Sequence, residues 1–182
     1  MLVWMPGAAS AQWTVRPFAG VNLGSQHGFV DLDDTAGRVQ PTFGVAAGRD
    51  LSNAWSVEFE FATSPKFLKG DSGLVDSGRV DTFFANVNRR FGAPASRFHP
   101  YVTAGIGTAR VTLEDALNAF TSTSSLIAAN IGGGTVVATG RKLRLIGDVR
   151  YIRSQYGDVG AASVGEEYVS FWRAAGGVLL RF

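Results

Sequence analysis

Residues 168–182 read YVSFWRAAGGVLLRF, and the alternation in this stretch decides the fold. Counting back by two from Phe182 collects Leu180, Val178, Gly176, Ala174, Trp172 and Ser170. The other set is Arg181, Leu179, Gly177, Ala175, Arg173 and Phe171. Successive side chains of a β-strand point to opposite faces, so the two sets line two surfaces. One carries aromatics near both ends with small and aliphatic residues between them; the other carries two arginines among small residues. An apolar band flanked by aromatics, opposite a more polar face, suits a strand whose outer side meets lipid. A strand closing on a bare Phe fits that setting better than it fits a water-soluble sandwich.

The same period of two recurs upstream. Residues 13–23 set Trp13, Val15, Pro17, Ala19 and Val21 against Thr14, Arg16, Phe18, Gly20 and Asn22. Pro17 has no N–H for a ladder and predicts a bulge or unusual local pairing. Residues 54–63 alternate most cleanly, with Trp55, Val57, Phe59 and Phe61 opposite Ser56, Glu58 and Glu60. Comparable patterns run over 39–50, 79–91, 99–111, the Gly-rich 125–139, and 143–154. Together they predict eight strands. Long polar stretches at 24–38, 64–78, 112–124 and 155–167 alternate with short turns, and residues 113–120 have room for one or two helical turns. Keeping all long connections at one end is the habit of a transmembrane barrel, with an even strand count and strands of about 9–11 residues. A closed sheet also satisfies every backbone donor and acceptor, as hydrocarbon requires. The expected fold is therefore all-β: an eight-stranded antiparallel up-and-down transmembrane β-barrel with both termini on the periplasmic side.

Composition agrees. The 182 residues include 23 glycines and 12% aromatics, and only 18% are charged, against about 25% in an average soluble domain. Seventeen Lys and Arg against 15 Asp and Glu leave a net charge of +2, scattered along the chain, so no nucleic-acid surface is expected. Without cysteine there is no disulfide, thiolate nucleophile or thiolate metal site. The longest uncharged stretch, 116–140, is interrupted by Asn118, Asn130 and Gly132-Gly133-Gly134 and is no membrane helix. Residues 1–12 read MLVWMPGAASAQ, with a small-x-small pattern at Ala9-Ser10-Ala11. They are expected to be the remnant of a secretory signal over 1–11, ahead of a barrel domain over 12–182.

Six segments in order, PFAGVNLG (17–24), NVNRRFG (86–92), HPYVTAGIG (99–107), the Gly-rich 131–134, GDVRYIRS (147–154) and VLLRF (178–182), resemble successive strands of the small OmpA-like and OmpX-like outer-membrane barrels. The resemblance extends over nearly the whole chain after Gln12. It implies a monomeric protein of the bacterial outer membrane, surrounded by outer-membrane lipid. It further implies that the barrel-assembly machinery engages the C-terminal strand ending at Phe182, and that any extracellular partner meets the long loops. OmpA itself carries a peptidoglycan-binding domain after its barrel; here none is expected to follow, and no wall-anchoring role is expected.

Arg16, Glu58, Glu60, Asn86, Asn88, Asp148, Arg150 and Arg173 fall on the faces opposite the apolar stripes and form the expected interior polar network. Glu58 and Glu60 lie two residues apart on one face, a spacing open to a catalytic carboxylate pair or an ion path. Pairing with Arg16, Arg150 and Arg173 is the better account, because side chains fill an eight-stranded lumen and an unpaired buried charge costs several kcal/mol, on the order of its desolvation penalty. Trp13, Trp55, Phe91, Trp172 and Phe182 sit near strand ends as an interfacial girdle. His27 with Asp31, Asp33 and Asp34 lacks the Gly and terminal Glu of a calcium loop. His99 has no Ser partner of the kind found in lipid A deacylases, which are barrels of this size. Gly132-Gly133-Gly134 precedes neither a Lys nor a helix, so it is no phosphate loop. No catalytic residue, cofactor or metal is expected. The expected role is structural or surface-interacting, with binding in the long loops. The alternatives are a soluble lipocalin-like carrier, which would turn its apolar stripes inward, and a minor ion-conducting pore.

Overall fold

In the computed structural model, residues 12–27, 39–68, 75–92, 96–115, 121–139, 143–155 and 168–182 are described. Eight strands run in chain order: β1 Trp13–His27, β2 Gln40–Asp50, β3 Trp55–Leu68, β4 Val75–Arg90, β5 Phe98–Asp115, β6 Thr121–Ala138, β7 Leu143–Gln155 and β8 Tyr168–Arg181. Each pairs antiparallel with its neighbour, and β1 pairs with β8, so the sheet closes into a barrel without an edge. Closure is completed where the Phe182 N–H donates to the Trp13 carbonyl at 3.0 Å. No described helix is long and apolar enough to cross a membrane, and a β-barrel needs none.

The alternation decides which face is inside. Phe59 and Ile106 are 69% and 72% exposed on the outer surface, whereas the intervening Glu58 and Glu60 are buried in the lumen. The stripe Trp55, Val57, Phe59 and Phe61 thus faces outward, the reverse of what a lipocalin-like carrier requires. Trp13, Trp55, Phe91 and Phe182 gather at the short-turn end, and Trp172 lies at the other, packed on Tyr151 with ring centroids 5.2 Å apart. Arg49 lies over the Trp13 ring, and Arg89 over the rings of both Trp55 and Phe91. Each guanidinium therefore stays at the apolar–polar boundary on an aromatic face.

Two expectations change, and the one for Pro17 holds in part. Pro17 keeps its pairing with Val45 without a bulge, but the ladder to β8 skips Arg16 and Pro17, the unusual local pairing expected of a proline, and resumes in the same register at Phe18↔Gly177. The register shift of β1 comes later, between Leu23 and Gln26. Much of the expected loops at 64–78 and 112–124 is strand: β3 and β4 pair as far as Leu68↔Gly78, β4 and β5 to Val75↔Asp115, and β5 and β6 to Glu114↔Thr121. Residues 113–115, where helical turns had room, belong to β5. Pairing compensates for their polar sequence, because each strand satisfies its neighbour's backbone groups. Among the described residues the β2–β3 ladder ends at Phe43↔Thr63 and the β6–β7 ladder at Ile127↔Gln155, while the ladders from β3 to β6 run further as a four-stranded extension. The signal remnant over 1–11 and the loop acids Asp31, Asp33 and Asp34 lie outside the described residues.

Candidate functional site

The lumen is built in layers. Its centre is ionic and draws on five of the eight strands. Arg16 from β1 forks onto Glu58 of β3, donating from Nη2 to Oε1 at 2.7 Å and from Nε to Oε2 at 3.3 Å. Its guanidinium also reaches Glu60 Oε2 at 2.8 Å and Asp148 Oδ2 at 3.2 Å. Arg150 from β7 meets the same three acids: Asp148 at 2.9 Å, Glu60 at 3.1 Å and Glu58 at 3.4 Å. Arg173 from β8 donates to the remaining Glu60 oxygen, Oε1. Tyr101 of β5 donates its hydroxyl to Asp148 Oδ2 at 2.8 Å. Arg16, Arg150 and Arg173 are at most 2% exposed, and three arginines balance three carboxylates. Buried charges are tolerated on those terms: paired, with planar guanidinium forks meeting carboxylate oxygens.

Six of the eight expected interior polar residues therefore meet in one network, and two do not. Asn86 Oδ1 accepts from Asn130 Nδ2 at 2.8 Å across the lumen. Among the described residues, Asn88 makes one long contact, donating from Nδ2 to Ser56 Oγ at 3.5 Å. Above the ionic layer Val80, Phe84, Ala109, Leu126, Ala128, Ile152 and Phe171 are buried together as an apolar cluster, bordered by buried polar side chains such as Asn22, which donates to Ser64 Oγ at 2.8 Å. Phe18 lies beneath both Arg16 and Arg173, at 5.0 and 5.3 Å from its centroid.

So much bulk fits because glycines face it. A Cβ on Gly132 would come within 2.8 Å of Arg150, one on Gly105 within 2.0 Å of Asn86 Oδ1, and one on Gly44 within 2.3 Å of the Phe18 ring. The Gly-rich β6 is thus the wall over which Asp148 and Arg150 fold.

A second polar group went unnoticed in the sequence. At the short-turn mouth Asp50 accepts from Arg90 at 2.5 Å and from Arg181 at 2.6 Å, while Arg144 borders a cavity with these two arginines and makes no ion pair among the described residues. These residues close β2, β4, β8 and open β7. Carrying the inward parity of each strand to its last residue would have found them. Chemically, both oxygens of Glu58 and of Glu60 accept from guanidinium donors, whereas Asp148 gathers its donors on Oδ2 and leaves Oδ1 buried without one among the described residues. Among the described residues, no group of His, Asp and Glu has the geometry to hold a metal.

A model of the outer membrane protein β-barrel domain matches residues 1–178. The crystal structure of Neisserial surface protein A superposes with a TM-score of 0.70 at 14% identity, covering 94% of this chain and 97% of that one. The N-terminal β-barrel domain of Pseudomonas aeruginosa OprF gives 0.62 at 16% identity, covering 94% and 97%. The solution structure of E. coli outer membrane protein W gives 0.53 at 16% identity, covering 96% and 100%. Identities this low carry the fold alone. Comparison with curated protein sequences returns no match.

Proposed function

This chain belongs to the outer membrane protein β-barrel domain family, and from that premise we propose that it is a non-catalytic barrel whose role is structural or surface-interacting. Its place is the bacterial outer membrane, with lipid around the apolar outer face. The short turns face the periplasm, as in other transmembrane barrels. The observation that carries the surface role is the extension: among the described residues, the ladders from β3 to β6 run past the last pairs that β2 makes with β3 and β7 with β6. An 11-residue β2 suffices to cross hydrocarbon, so the further residues of the 18-residue β5 and β6 serve something beyond spanning. A filled lumen speaks against bulk passage, since the ionic and apolar layers cross it in succession. During insertion, β8 with Phe182 is the segment offered to the barrel-assembly machinery.

The test is to replace residues 113–122 with an Asn-Gly turn, which closes the β5–β6 hairpin at Thr112↔Thr123. The shortened barrel should still shift on boiling in SDS gels, while bacteria displaying it adhere to epithelial monolayers less than bacteria displaying the full chain. Equal adherence, at equal surface density, would remove the surface-interaction role and leave the structural one.

A further inference from the structure

The two ionic groups of the lumen differ in charge balance. The central one sets three arginines against three carboxylates. Among the described residues of the periplasmic mouth, Arg90 and Arg181 share the carboxylate of Asp50 and Arg144 stands beside them unpaired, a surplus of 3 − 1 = +2. Asp50 is fully engaged: Oδ1 accepts from Arg90 Nη2 at 2.5 Å, and Oδ2 from Arg181 Nη2 at 2.6 Å and Arg90 Nη1 at 3.5 Å. The Arg144 side chain finds no hydrogen-bond or ion-pair partner among the described residues, and of the charges that act on it Arg181 and Arg90 come ahead of Asp50. Moreover, the Nε–H groups of all three arginines are buried without an acceptor. Buried donors and charges are normally matched, since leaving them bare is costly.

The arginines also enclose space. They border a cavity of about 190 Å³ together with Asn53 and His99, two further side chains able to donate. Phe91 borders it too, and Phe91 belongs to the outer aromatic girdle beneath Arg89. The cavity therefore reaches the rim where the inner-leaflet headgroups lie.

We propose that this mouth is a binding site for one oxyanion of the phosphate class, either free in the periplasm or carried by a phospholipid headgroup. Guanidinium forks are the side chains best matched to phosphate oxygens. A tetrahedral anion here supplies the acceptors that Asp50 alone does not, and it neutralises the surplus charge.

The test uses the whole chain folded in an uncharged maltoside detergent, free of phosphate. Inorganic phosphate is titrated calorimetrically against chloride at equal ionic strength. Separately, phosphatidylglycerol or diacylglycerol is added and retained lipid is counted by native mass spectrometry. Arg144→Gln gives up no existing partner and should fold, as the boiling shift will show. It should weaken phosphate-class binding roughly ten-fold, the effect of one charge-assisted contact. Asp50→Asn removes the competing carboxylate and should tighten binding. Binding of inorganic phosphate identifies a free-anion site; retention of phosphatidylglycerol alone identifies a headgroup site. Binding no better than chloride and diacylglycerol, or equal binding by wild type and both variants, overturns the proposal.

Discussion

Arg16 and Glu58 form a two-point fork across the lumen, 2.7 and 3.3 Å long, although a whole strand separates β1 from β3 in the wall. The contact is possible because the lumen is narrow and because β2, between them, turns Ala46 and Gly48 inward. Removing Arg16 strands parts of three carboxylates at once. Arg16→Met should therefore cost about 3–5 kcal/mol, the usual penalty for breaking a buried pair from one side. Arg16→Lys should recover only part of it, because a point charge cannot serve Glu58, Glu60 and Asp148 together. Urea unfolding in lipid vesicles, followed by tryptophan fluorescence, measures both. Unchanged midpoints would mean that the network contributes little to stability.

Glycine positions inside and outside the wall should respond oppositely. A Cβ on Gly107 would lie 1.8 Å from the Phe83 carbonyl oxygen and 2.8 Å from Phe84 Cα, both backbone atoms that cannot rotate away. On Gly176, facing outward, the nearest atom is 3.9 Å away. Gly107→Ala should cost about 1–3 kcal/mol by overpacking, whereas Gly176→Ala should stay within about 0.5 kcal/mol. Equal midpoints for the two variants would show that the wall relaxes more than its geometry implies.

These glycines also mark how far the sequence could be followed. A period of two reports faces, so the outward stripe of β3 and the inward Glu58 and Glu60 are legible from residue order alone. It is silent where side chains are absent, and β6, with Gly132 to Gly134, is understood only against Arg150 and Asp148 of the next strand. Strand ends were hidden for another reason. Residues 121–125, TSTSS, carry no apolar alternation, and their pairing with β5 is settled by backbone hydrogen bonds to a partner that sequence does not name. The inner apolar layer was obscured because Phe84, Leu126, Ile152 and Phe171 sit on faces that are otherwise polar or small. The mouth cluster was dispersed over residues as far apart as Asp50 and Arg181, 131 positions.

The outer face should tolerate charge according to depth. Val45 is exposed at the middle of β2, the shortest strand, and so marks the centre of the hydrocarbon. Leu51 is exposed in the turn that follows. Val45→Lys should cost about 2–4 kcal/mol in vesicles and Leu51→Lys no more than about 1 kcal/mol. The contrast should shrink in detergent micelles, whose apolar layer deforms easily. Similar costs at both positions would require the membrane band to be placed elsewhere on the barrel.

Tyr101 offers the finest test of the ionic layer, because its hydroxyl donates to the same Asp148 oxygen that Arg150 holds at 2.9 Å. Loss of a hydrogen bond to a charged group commonly costs about 1.5–3 kcal/mol. Here the loss should fall near the lower end. Tyr101 borders a cavity of about 40 Å³ lined also by Thr14, Glu58 and Arg90, which is roomy and polar enough for a water to replace the hydroxyl. Tyr101→Phe should thus lower stability by roughly 1.5 kcal/mol, less than Arg16→Met. A double-mutant cycle with Asp148→Asn isolates the pair. A coupling indistinguishable from zero would mean that Asp148 is held by its arginines alone, and a coupling as large as the Arg16 effect would mean that water does not enter the space Tyr101 leaves.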